Sequence, residues 1–168
     1  HGVHRGILKS GKYDERADFV NKLVEMTPNV KFDLYGINNV QPIWADSFLK
    51  SISNAKMGVN LSRGDPTKYY SSDRITQLIG NGLLTFIHKN TLYNNFFSND
   101  EVIFYTNISS LSEKIQKFAR DDLSRKKIAK KGKLKYMKYF NSTIVADYII
   151  NNTFSRSYKK NKYLWENK

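Results

Sequence analysis

The 168-residue sequence predicts a doubly wound, three-layer α/β domain: a parallel sheet covered by helices on both faces and closed by further helices at the C-terminus. Three observations predict it. Short apolar runs rich in β-branched and aromatic residues alternate with segments of helical periodicity. The connections are long enough to be crossovers, which forces parallel pairing and right-handed connections. Finally, 40% of the side chains are hydrophobic and none is cysteine, so the core forms by packing, without disulfides or thiolate metal clusters.

Taken in order, Ala17, Val20, Leu23 and Val24 recur at helical spacing from Asp14 to Met26, and Pro28 stops the run. Val30 to Gly36 alternates apolar and polar residues and ends on glycine, the pattern of a strand entering a turn. Trp44, Phe48, Ile52 and Ala55 then step by four, four and three along one helical stripe. Met57 to Leu61 reads as a strand that opens into the turn-formers Ser62-Arg63-Gly64-Asp65-Pro66. Ser71 or Ser72 caps a helix carrying Ile75, Leu78 and Ile79, ended by Asn81-Gly82.

Leu83–Ile87 and Val102–Tyr105 are two further strands, the first almost continuously apolar, as expected when both faces are covered. Ser110 and Glu113 have the spacing of a capping box ahead of Ile115, Phe118 and Ala119. A basic helix follows from Leu123 to Phe140, with Ile128, Leu134 and Met137 and the aromatics Tyr136, Tyr139 and Phe140 on its inner stripe. A last helix spans Ser142 to Phe154, and the polar, basic residues after Ser155 are expected to fray. The division is thus a 1–154 domain and a 155–168 tail.

Charge is uneven. Residues 1–110 hold 12 basic and 10 acidic side chains, whereas 111–168 hold 16 and 5, so the last third carries +11 of the +13 total. No apolar run approaches the ~20 residues of a membrane span. The start at His1, without an initiator Met, suggests that an N-terminal part is missing. The lysine-rich face suits an anionic membrane surface. It would also suit nucleic acid, but the interleaved aromatics fall on the inner stripe of a helix, so no nucleic-acid partner is expected.

In a doubly wound sheet ligands bind beyond the carboxyl ends of the strands, here the loops 5–14, 36–44, 62–73 and 88–100. The loop 62–73 carries the most chemistry. Arg63, Lys68 and Arg74 surround a helix start at Ser71, Ser72 and Asp73, whose unpaired N–H groups and partial positive charge suit a phosphate. Tyr69 and Tyr70 can offer a flat face to a base or sugar, or pack beneath the loop. Arg5, Lys9 or Arg16 reaches toward the same phosphates from the first loop, although a solvated helix flank suits Arg16 better and plain surface suits Lys9 better. No Walker or Gly-x-Gly-x-x-Gly motif occurs. No Asp-x-Asp occurs either, and His1, His4 and His88 lie in no ligand spacing, so neither metal nor cofactor is expected.

These residues stand in an order that resembles a family. Leu61-Ser62-Arg63, Arg74-Ile75-Thr76-Gln77, Asn81-Gly82-Leu83-Leu84, Asp100-Glu101-Val102, Leu111 and Lys126-Lys127-Ile128-Ala129-Lys130-Lys131-Gly132 follow one another. This is similar to the C-terminal, donor-binding half of GT-B glycosyltransferases, whose two Rossmann-like domains face each other, and especially to the group-1, spore-maturation-type subfamily. The likeness covers 57–140 closely and extends to 1–56, where Asp14-Glu15-Arg16 opens a helix.

The resemblance implies a cytoplasmic or peripheral inner-membrane transferase of cell-envelope polysaccharide synthesis that binds a nucleotide-sugar donor. Its donor residues would be Arg63, Lys68, Tyr70, Ser71, Ser72, Asp73, Arg74, Gln77 and Arg5. The general base would come from a missing N-terminal domain, leaving this chain inactive alone. Two positions depart from the family: the glutamate that often grips the donor ribose is Gln77, which can still hydrogen-bond a diol, and the first acid of a Glu-x7-Glu pair is Tyr69. A nucleic-acid-binding module or a non-catalytic nucleotide-binding domain is the alternative.

Overall fold

The computed structural model describes residues 15–62, 64–70, 72–159 and 161–167. Three strands, β1 (Met57–Asn60), β2 (Leu84–His88) and β3 (Ile103–Tyr105), form a parallel sheet in the order β1-β2-β3. Val59 pairs with Phe86, and Phe86 with Ile103. Parallel neighbours require crossovers. Helix α3 (Asp73–Gly80) supplies the first, while the second runs through two short 3-10 turns, Lys89–Thr91 and Tyr93–Asn95. The fold is the expected Rossmann-like α/β arrangement.

Alternation along the strands sorts side chains to two cores. On one face Met57, Val59, Leu84, Phe86, Ile103 and Tyr105 pack with Leu23 of α1 (Arg16–Glu25), with Leu111, Ile115 and Phe118 of α4 (Ile108–Arg120), and with Ala129 of α5 (Asp122–Tyr139). On the other, Ile87 and Phe104 meet Ile75 and Ile79 of α3 and the aromatics Tyr93, Phe96 and Phe97 of the second crossover. Each such buried side chain contributes ~1.5–3 kcal/mol. Gly58 brings α3 close to the sheet: a Cβ built there would stand 2.4 Å from Leu78 Cδ2.

Four expectations need correction. Residues 31–35 alternate in exposure, with Phe32 against the first core and Leu34 beside Ile37, but they pair with no strand among the described residues. Alternation dictates which side chains turn inward, whereas a strand also needs a main-chain partner. The segment ends in a turn where Gly36, Asn38 and Asn39 all take positive φ and the Gly36 N–H donates to Val40 O at 3.0 Å.

Helix α4 starts three residues earlier than the Ser110–Glu113 spacing suggests. Asn107 is its cap, accepting the Ser110 N–H at 2.8 Å, while Ser110 Oγ accepts the Asn107 N–H at 3.5 Å. Asparagine caps as well as serine does, and it comes first.

The inner stripe of α5 is also different. It runs Arg125, Ala129, Gly132, Tyr136 and on to Phe140, while Leu134 is 61% and Met137 49% exposed. The helix presses so closely on the turn before β3 that a Cβ at Gly132 would sit 2.1 Å from Glu101 O. Only glycine fits at that contact; Leu134 and Met137 face outward, while Ile128 packs against the first core as expected. Arg125, 4% exposed, donates to Phe118 O at 3.0 Å and to the Asp122 carboxylate.

Lastly, the segment expected to fray is docked. After α6 (Ser142–Thr153) the chain returns to place Tyr163, 1% exposed, against Tyr148 and Trp165, and Trp165 against Phe140. Tyr163 Oη donates to Asp147 Oδ2 at 2.7 Å and accepts from Asn151 Nδ2 at 2.8 Å, and Lys162 pairs with Asp147 at 2.6 Å. Counting charge alone overlooked these aromatics.

Candidate functional site

A pocket opens at the carboxyl end of β1, the end at which such sheets bind ligands. Leu61, just past the strand, turns its carbonyl to the Arg74 guanidinium at the start of α3, which donates to it through Nη1. That bond fixes Arg74 across the strand end. Arg16, the first residue of α1, lies beside it, and the two arginines line one pocket of about 70 Å³ with Asp33, Tyr35 and the apolar Val20, Leu34, Ile37 and Leu61. A single water needs only roughly 10–15 Å³, so the pocket admits a phosphate-sized group.

The two arginines bring positive charge to a largely apolar pocket. Burial, reinforced by the Arg16 charge, pulls the Arg74 guanidinium below its ordinary pKa. Tyr105, at the end of β3, is pushed up to about 12 by burial, with Arg74 opposing the rise. Asp33 is the acid of the pocket wall, and Lys31 stands 3.9 Å from it.

The expected site residues separate in space. Arg5, Arg63 and Ser71 lie outside the described residues. Lys68 is exposed, its ammonium 5.0 Å from the centre of the Tyr69 ring, and it does not line the pocket. Tyr69 takes the packing role: its N–H donates to Thr91 O at 2.9 Å, its hydroxyl accepts from Asn95 Nδ2 at 2.5 Å, and its ring meets Phe96 at 5.2 Å. Tyr70 is 50% exposed and retains an open face. Ser72 is the N-cap of α3 without a side-chain cap bond, Asp73 is exposed in the first turn, and Gln77 is half-buried about one turn beyond Arg74.

Sequence reasoning underrated Arg16, read as a solvated flank. A basic residue at the start of a helix was the available signal, but helical periodicity alone does not show which end of the sheet that helix start meets. Tyr35, which lines the pocket, was missed because it ends an alternating run that reads as a strand. His88 is structural: Nδ1 accepts the Asn90 N–H at 3.2 Å, leaving Nε2 protonated to donate to Thr106 O at 2.9 Å. Tyr136 and Phe140 are packed against the core under α3, so neither presents a stacking face along a nucleic-acid strand. Among the described residues no three His, Cys, Asp or Glu side chains group in the manner of a metal site.

Comparison with known families gives a match to the one described as glycosyl transferase-like, over residues 15–151. No curated protein and no solved structure matches the chain. The matched stretch runs from α1 through most of α6 and takes in the whole sheet and both arginines of the pocket. The chain therefore belongs to the glycosyl transferase-like family.

Proposed function

We propose that the chain is the donor-binding half of a two-domain, GT-B-type glycosyltransferase that takes a nucleoside-diphosphate sugar without a metal ion. The observation that carries this reading is the meeting of Arg16 and Arg74 in one pocket at the carboxyl end of β1. In the transfer, the bond from the anomeric carbon to the diphosphate breaks and a bond to an acceptor hydroxyl forms. The diphosphate leaves with the bonding electrons, and fixed cations stabilise the charge that develops on it. Arg74 and Arg16 fill that role, aided by the start of α3 and by Arg63, with Tyr70 and Gln77 toward the nucleoside. The acceptor proton goes to a base on the second domain. The sequence has no Asp-x-Asp to hold a metal on the diphosphate, which leaves the charge to the arginines.

Two surfaces support the partners in this reading. Val145, Ile149, Ile150 and Phe154 are exposed along α6, as are Trp44 and Leu49 at α2 (Ala45–Asn54), and a second α/β domain would cover such residues. At the opposite end of the sheet from the arginine pocket, a groove of about 400 Å³ is lined by Lys56, Arg125, Lys126, Lys130 and Lys133 with Asp122. It suits an anionic membrane surface. No described helix is long and apolar enough to cross a membrane.

Calorimetric titration of the chain with UDP-glucose and GDP-mannose, against single-stranded oligonucleotide in moderate salt, tests the reading. Saturable binding of a nucleotide sugar that Arg74→Ala weakens by 10-fold or more is expected. Tight oligonucleotide binding with no nucleotide-sugar signal would overturn it.

A further inference from the structure

Across the sheet, Asn60, Ile87 and Phe104 form one row in register. Ile87 and Phe104 belong to the core under α3, so strand alternation sends the Asn60 side chain to that same face. Gly58, two residues earlier, lies under Leu78, and Leu61 is bonded to Arg74. The strand and the helix run in opposite directions, which places Asn60 toward the first turn of α3, one residue before Leu61 of the pocket wall. Asn60 is 3% exposed, and its Oδ1 is the one buried side-chain oxygen or nitrogen among the described residues without a hydrogen-bond partner. The Ser72 cap above it also makes no side-chain bond.

An amide oxygen held in this state destabilises the fold, and an apolar side chain of similar size in the same strand would not. The amide oxygen makes no bond in the folded chain, and the position is at the carboxyl end of β1. We propose that Asn60 is a donor-binding residue whose amide oxygen accepts a hydroxyl of the bound nucleoside-diphosphate sugar. This rests on the glycosyltransferase reading and adds to it a contact from the strand itself: an acceptor, in addition to Gln77, for the neutral, hydroxyl-bearing part of the donor.

The test uses the whole chain and two β-branched replacements suited to a strand, Asn60→Val and Asn60→Thr, which differ only by a hydroxyl. Without ligand, Asn60→Val is expected to melt ~2–4 °C above the parent, because the unmade bond is gone. In titrations with UDP-glucose and GDP-mannose, Asn60→Val is expected to bind the probe ~10-fold more weakly, and Asn60→Thr, which retains an acceptor, is expected to recover part of that loss. A parent that binds a probe while Asn60→Val binds it within twofold overturns the Asn60 assignment and leaves the glycosyltransferase reading standing. So does an Asn60→Val chain that melts below the parent or fails to fold, since the amide would then be structural. A parent that binds neither probe overturns both.

Discussion

Gly132 sits where α5 meets the turn before β3, and replacing it with alanine yields a prediction whose size follows from the geometry. The added Cβ would meet the Glu101 carbonyl oxygen at 2.1 Å and its carbon at 3.2 Å. Both belong to the main chain, so no flexible side chain can yield, and α5 must move off the turn that leads into β3. Overpacking of this kind costs up to ~3 kcal/mol. The helix propensity of alanine over glycine returns ~1 kcal/mol, leaving a net loss of about 2 kcal/mol. For a chain of this length that lowers Tm by ~4–8 °C. Gly80, at the end of α3, is the control: a Cβ there meets nothing within 4 Å. Gly80→Ala gains up to ~1 kcal/mol and raises Tm by ~2–4 °C. Thermal unfolding followed by far-ultraviolet circular dichroism measures both. A Gly132→Ala chain that melts at or above the parent would refute the claimed packing of α5 on the Glu101 turn.

Other outcomes follow from the same structure. Arg16→Ala should weaken nucleotide-sugar binding by ~10-fold or more, since a charge-assisted bond is worth ~1.5–3 kcal/mol, while Lys68→Ala, outside the pocket, should stay within twofold; calorimetry with the two side by side checks the division. Asp122→Ala leaves the buried Arg125 guanidinium with only the Phe118 carbonyl and should cost ~2–3 kcal/mol, reduced from the fully buried case because Asp122 is half-exposed; urea unfolding reads it. Lys162 and then Tyr163 hold the Asp147 carboxyl below its ordinary value of 3.8. A lowered folded-state pKa means that the docked tail is favoured above that value and loosens as the pH falls through it and below. Trp165 fluorescence should report release in acid, and Asp147→Asn should show the released signal already at neutral pH.

Much of the fold was legible because burial imposes periodicity. Leu84 and Phe86 had to face one core and Ile87 the other, and the sequence around them reads as a strand covered on both sides. The position of Arg74 was legible for a different reason: the serine turn-formers two and three residues before it mark a helix start, and Arg74 lies in the first turn of α3. What escaped depends on partners far away in the chain. The 31–35 segment has strand-like alternation without a strand's ladder, and nothing local distinguishes the two. On α5 the local pattern favoured Leu134 and Met137, but the contact with Glu101 admits only Gly132, and Arg125 and Ala129 face inward with it. Arg16 gained its place in the pocket from how α1 is set against the end of β1, a tertiary fact. Asn60 looked like an ordinary polar residue closing a short strand until its burial was known.

The Tyr163 clasp has a practical side. The family match stops at residue 151, twelve positions short of that tyrosine, and an expression boundary drawn there would be a natural choice. Such a shortened polypeptide would bare the rings of Tyr148 and Phe140 to solvent and strip Asp147 of both its ammonium and phenol neighbours. Sticky, poorly behaved preparations would be the outcome, for a reason unrelated to sugar transfer, and extending the boundary through Trp165 would cure them.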